Sequence, residues 1–135
     1  MQLNNKQLGN KFENELGEIL SGYGFWVHLL NMNKSGQPAD IIAVRNKVAY
    51  LIDAKVVSTK QGFALSRVED NQDLAMDIWN EKGNGQGWFA LKVKDKIFMI
   101  PHICIKAYMI QQSILSIAEI TTIGKPIEKW VTRCK

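Results

Sequence analysis

Leu8, Phe12, Leu16 and the pair Ile19 and Leu20 recur at steps of three and four residues. This lays one apolar stripe along a helix predicted over residues 5–21, which Gly22 and Gly24 close. Residues 25–30 read as a strand. Residues 31–38 are polar turn formers ending in Pro38 and predict a loop. Two apolar runs follow, 39–44 and 48–57, and Arg45, Asn46 and Lys47 between them predict a tight hairpin. After a loop over 58–65, helical spacing returns over 66–82, with Ser66 at the N-cap and Glu69 at the distance of a capping box. Gly83, Gly85 and Gly87 close that helix. A second hairpin is predicted from 87–93 and 96–101 around Lys94 and Asp95, then a helix over 103–114 and a short strand or tail over 116–135. This order predicts an α/β fold, a central mixed five-stranded sheet flanked by helices, within a single domain spanning 1–135.

Two residues break the strand pattern. The run from Val48 to Val57 holds an acid, Asp53, and a base, Lys55, two positions apart. Side chains alternate across a strand, so both point to one face, where neither is stable without a partner. Asp40 opens the preceding strand. Antiparallel pairing about residues 45–47 sets positions equally far from the turn opposite each other, so Asp40 falls level with Asp53. Two carboxylates beside a lysine suit a Mg²⁺-dependent phosphodiesterase, with oxygen ligands for a hard cation and an ammonium for the phosphate or the attacking water. A buried ion pair is the other reading of Asp53 and Lys55 taken alone. His28, between Val27 and Leu29, reads as a strand-edge residue and not a base. Trp79, Trp88 and Trp130 read as core or dimer residues.

Composition narrows the class. Hydrophobic residues make up 46% of the chain and charged residues 22%, which excludes a disordered or fibrous protein. No apolar run reaches the roughly 18 to 20 residues of a membrane span, and the polar first residues lack a signal-peptide core. A soluble, cytoplasmic protein with no membrane partner is expected. Cys104 and Cys134 lie far apart without metal-ligand spacing and read as free thiols. The net charge of +4 permits an anionic partner. Lys60 and Arg67, with Lys92, Lys94 and Lys96, are candidate phosphate contacts. No helix clusters Arg or Asn for reading bases, so recognition by shape and phosphate is expected.

Pro38-Ala39-Asp40 followed by Asp53-Ala54-Lys55 resembles the PD-(D/E)xK nuclease signature. Gly9-Asn10-Lys11-Phe12-Glu13 resembles the opening of the first helix in Holliday junction resolvases of the RecU and archaeal Hjc types. Phe63-Ala64-Leu65 followed by Gln72 is similar to the F-x-L run and helical glutamine of the RecU type. The likeness spans roughly residues 9–101. It implies a restriction-endonuclease-like core and a metal-dependent DNA endonuclease that cuts four-way junctions as a homodimer. It further implies Mg²⁺, replaceable by Mn²⁺, on Glu13, Asp40, Asp53 and the backbone carbonyl of Ala54, with Lys55 and Gln72 completing the catalytic set. Ser35-Gly36 resembles a serine-bearing loop of the archaeal enzymes, which implies phosphate contacts from Lys34 and Ser35. The loop 31–38 is too short for the stalk of RecU, so the chain resembles a compact archaeal-type or phage-encoded enzyme. A restriction-type or repair endonuclease and a catalytically silent DNA-binding module on the same fold are the alternatives. Substrate choice separates the first, and indifference to metal the second.

Overall fold

Phe12, Leu16 and Leu20 are buried along one side of helix α1, Asn5–Gly22. The computed structural model describes residues 5–30 and 39–133. Gly24, at φ +93°, turns the chain into strand β1, Trp26–Leu29. Helix and strand pack so closely that a Cβ on Gly17 would stand 3.2 Å from Leu29 Cδ2, and glycine makes that approach possible. Strands β2, Ile41–Arg45, and β3, Val48–Val57, form the expected hairpin. Asn46 and Lys47 close it at φ +54° and +69°, the left-handed pair of a type I′ turn. Ile41 pairs with Ile52, which sets Asp40 level with Asp53 as counting from the turn predicts.

The helix predicted over 66–82 begins later and ends sooner. After strand β4, Phe63–Ala64, a 3₁₀ turn takes Leu65–Arg67, and helix α2 spans Asp70–Trp79. Leu65 and Val68 are both buried, and Val68 is extended, so this stretch is pinned to the core before the helix starts. Glu69 therefore takes the N-cap, and the expected pair of Ser66 and Glu69 is replaced by Glu69 and Gln72. A wide turn over Asn80–Asn84, with Gly83 at φ +87°, leads out of the helix.

Strand β5, Trp88–Val93, runs parallel to β3, and β6, Lys96–Pro101, runs antiparallel to β5. Helix α3, His102–Gln111, follows directly. The segment expected as strand or tail is more ordered than that. Strand β7, Ile114–Leu115, pairs with β4, and helix α4, Ile117–Ile123, is capped by Ser116 and Glu119. Strand β8, Lys125–Pro126, then adds to β6, and helix α5, Ile127–Arg133, brings Trp130 into the core.

The sheet is mixed and flanked by helices, with six strands instead of five, in the order β1-β2-β3-β5-β6-β8. The added strand is two residues long and contains a proline, too little to carry a strand pattern. β4 and β7 form a separate two-stranded sheet. One apolar layer joins α1 and α5 to a sheet face through Phe12, Leu16, Ile52, Ala54 and Trp130. The other joins α2, α3 and α4 to the opposite face through Leu51, Phe89, Met76, Ile105 and Ile120.

Candidate active site

Asp40 stands just before β2, and backbone groups hold it on several sides. Its N–H donates to the Ile52 carbonyl at 3.1 Å, and its own carbonyl accepts from Leu30 N at 2.8 Å. Its Oδ2 accepts from Ala54 N at 2.8 Å. The N–H and C=O of a strand residue leave along the same edge, so the Ala54 carbonyl also faces the Asp40 side.

Asp53 alternates with Ile52 and Ala54 and so shares the face of Leu51, where it is fully buried. Lys55 lies on the same face with its Nζ 3.3 Å from Asp53 Oδ2. Gln72, in the first turn of α2, is buried as well and donates from Nε2 to Asp53 Oδ1 at 3.0 Å. Its other end is occupied: Oε1 accepts from Glu69 N at 3.2 Å. That second bond decides which end of the amide faces the carboxylate.

Glu13, next to Phe12 on α1, is buried and reaches the same cluster. Burial pushes its carboxyl up to about 8, helped by the Asp40 charge and a hydrogen bond to Asp40, with Lys55 pulling the other way. Asp53 is raised well above the ordinary carboxylate range, first by burial and then by the Asp40 charge, against Lys55. Glu13 Oε1 is buried and makes no hydrogen bond, and Asp53 Oδ2, also buried, has the Lys55 ammonium at 3.3 Å. An oxygen left without a hydrogen bond, as Glu13 Oε1 is, costs about 1–3 kcal/mol unless something else satisfies it. Three carboxyls crowd around one ammonium, and the two that hold their protons more tightly than usual are oxygen donors that a cation could take over. A hard divalent cation such as Mg²⁺ or Mn²⁺ fits that donor set.

A groove of about 900 Å³ opens beside this cluster, lined by Gly9, Ala54, Ser58, Lys60, Arg67 and Ile114 among others. Lys60 is exposed on a turn that Ser58 Oγ organises by accepting from Lys60 N and Gln61 N at 3.3 and 3.1 Å. Arg67 is held in place: its Nη1 donates to the Val56 carbonyl at 2.7 Å and its guanidinium lies 5.4 Å from the Phe63 ring centre. Burial lowers its pKa, and the Asp53 charge opposes that effect.

The candidates Glu13, Asp40, Asp53, Ala54, Lys55 and Gln72 thus come together, with Lys60 and Arg67 along the adjoining groove. Lys34 and Ser35 lie outside the described residues. Lys92 points elsewhere. It pairs with Glu15 of α1 at 2.6 Å and lies over the Phe12 ring, on the sheet face away from Asp53. Trp88 and Trp130 are core residues, as their sequence surroundings predict.

A second cluster escaped the sequence. Asp73 and Asp77, one turn apart on α2, meet His102, the first residue of α3. His102 Nε2 lies 2.6 Å from Asp73 Oδ1, and its Nδ1 lies 3.8 Å from Asp77 Oδ1. Their ligand atoms all fall within 4.8 Å of one another, close enough to hold a metal. Lys106 already supplies a positive charge there, at 2.7 Å from Asp77 Oδ2 and 3.7 Å from Asp73 Oδ1. The four contacts read as a charge network bridging two helices. The spacing of Asp73 and Asp77 was visible in the sequence, but nothing local marks His102 as their partner.

A six-stranded mixed sheet flanked by helices, with Asp40, Asp53 and Lys55 brought together on adjacent strands and Glu13 entering from the first helix, has the architecture of a nuclease fold. Within that class the chain belongs to the archaeal Holliday junction resolvase (Hjc) family, whose model matches residues 4–133. It is a junction-resolving nuclease. Among solved structures, Hjc of Archaeoglobus fulgidus, a Holliday junction resolvase from an archaeal hyperthermophile, has a similar fold, with a TM-score of 0.63. The match covers 92% of this chain and 95% of that one at 16% identity. No curated protein sequence matches significantly.

Proposed function

We propose that this chain hydrolyses phosphodiester bonds of a four-way DNA junction with a divalent cation, Mg²⁺ or in its place Mn²⁺. Glu13, Asp40, Asp53 and the carbonyl of Ala54 would hold the ion. The observation that carries this reading is the convergence of three carboxyls beside one ammonium, with a buried Glu13 oxygen that makes no hydrogen bond. When bound, the cation supplies charge for the scissile phosphate and lowers the pKa of the attacking water.

The protein's own groups divide the remaining work. Glu13 keeps its proton in the metal-free site and gives it up to admit the cation. Gln72 holds the Asp53 carboxylate in one orientation through the 3.0 Å bond. Lys55 offers its ammonium to a non-bridging phosphate oxygen and stabilises the charge that develops as water bonds to phosphorus and one P–O ester bond breaks. Lys60 and Arg67 would grip phosphates along the groove, and Lys34 and Ser35 are further candidate phosphate contacts. The chain acts as one domain, and a homodimer presents two such sites to the two symmetry-related strands of a junction. Among the described residues no helix is long and apolar enough to cross a membrane. The protein's place is with DNA inside the cell.

Asp53→Asn tests the site directly. Losing one ligand charge should abolish junction cleavage and leave binding nearly intact, because phosphate contacts elsewhere supply the affinity. Cleavage retained in this variant would remove Asp53 from the mechanism.

A further inference from the structure

The bond from Gln72 to Asp53 depends on where α2 sits, and α2 is seated on the core through Met76. Its outward side chains Leu74 and Ile78 are exposed, at 60% and 45%. Met76 is buried against Gly87, where a Cβ would stand 2.5 Å from Met76 Cγ. The residue after Gln72 supplies the second attachment. Asp73 Oδ1 accepts from the His102 ring at 2.6 Å, and a carboxylate can only accept, so the ring carries a proton on Nε2.

His102 is itself fixed to the sheet. The residue is 3% exposed, its ring lies 6.1 Å from the ring of Phe89, and its backbone N–H donates to the Gly87 carbonyl at 2.9 Å. Phe89 is the partner of Asp53 in the parallel pairing of β3 and β5. The contacts therefore close a circuit, from Asp53 across to Phe89, to His102, to Asp73 and back through Gln72. We propose that His102 is a positioning residue that seats α2 so that the Gln72 amide reaches Asp53. Lys106 pairs mainly with Asp77, at 2.7 Å from its Oδ2, and stays 3.7 Å from Asp73 Oδ1, so the short contact to that oxygen is the one from His102. This rests on the reading of Gln72 as a support for the catalytic carboxylate.

A double-mutant cycle tests it in the full-length protein on a labelled four-way junction with Mg²⁺. His102→Ala should lower the cleavage rate at saturating junction by about 10- to 100-fold, the usual cost of losing a group that orients a metal-site residue. Junction affinity should stay the same. In a Gln72→Ala background the same substitution should cost almost nothing further, since the link it serves is already gone. His102→Gln, which keeps a side-chain N–H for Asp73, should restore most of the rate and covers the case in which the alanine variant folds poorly. Independently of cleavage, the Gln72 side-chain amide signals in NMR should move to free-amide positions in the His102 variant that fails. Effects that multiply in the cycle, or Gln72 signals that do not move, would overturn the proposal. A wild type that never cuts junctions would instead refute the assigned function, and the NMR measurement would still decide the role of His102.

Discussion

Glu13 is the residue whose chemistry reaches furthest beyond its position. Its pKa is 4.5 in an exposed setting and about 8 in the metal-free site, so the folded chain binds that proton more tightly than the unfolded one. Stability from this group is therefore fully present below pH 4.5 and is lost as pH rises to about 8. Asp53 acts in the same direction. The melting temperature in EDTA should fall across that interval, and Glu13→Gln should flatten the fall. Saturating Mg²⁺ competes with the proton and should do likewise. A melting temperature that climbs through the interval would show that these carboxyls are not crowded as described. Asp40, Asp53 and Lys55 were legible in the sequence because strand alternation and counting from a hairpin turn are both local rules. Glu13 was legible only through the family resemblance, since helical spacing alone sets it beside Phe12 like any solvated acid. His102 was not legible at all, because its partners come from a helix earlier in the chain.

Among the elements, α5 shows how a short segment can matter out of proportion to its length. Trp130 is fully buried, 5.2 Å from the ring of Tyr50 and 5.5 Å from that of Trp88. Trp130→Ala should cost about 3–5 kcal/mol in denaturant unfolding, the range for large aromatic truncations in a core. A loss below about 1 kcal/mol, within the scatter of ordinary surface changes, would mean that the C-terminal segment is not part of the folded unit. The sequence held the signals for this region. Ser116 and Glu119 have capping-box spacing, and Ile127, Trp130 and Val131 fall at helical steps. Each helix is only seven residues long, however, too short for periodicity to stand out from a tail. The start of α2 shifted for a similar reason. Capping spacing fits both Ser66 with Glu69 and Glu69 with Gln72, and burial of Leu65 and Val68 chose the later pair. The β2–β3 hairpin had no such competitor and was read correctly from its polar turn.

At the scale of the whole molecule, a chain of net charge +4 whose sequence clusters no Arg or Asn on a helix is expected to hold DNA by its phosphates. Junction affinity is expected to fall linearly on a log–log plot against salt, with a slope set by the number of phosphates neutralised. A flat salt series in gel shifts would argue for base reading instead. Two symmetric cuts need two sites, and Leu74 and Ile78 on α2 with Ile103 and Ile110 on α3 leave apolar surface for a second copy. Sedimentation at micromolar concentration should therefore show a dimer, and a monomer there would count against paired cutting. The central claim is that Glu13, Asp40, Asp53 and Lys55 form a cation-dependent site that resolves junctions. Its most direct test is cleavage of a labelled mobile four-way junction beside a duplex of the same sequence, each with Mg²⁺ and with EDTA. We expect symmetric cuts in the junction with Mg²⁺, none in EDTA and little cutting of the duplex, whereas equal cutting of both substrates, or cutting that survives EDTA, would contradict it.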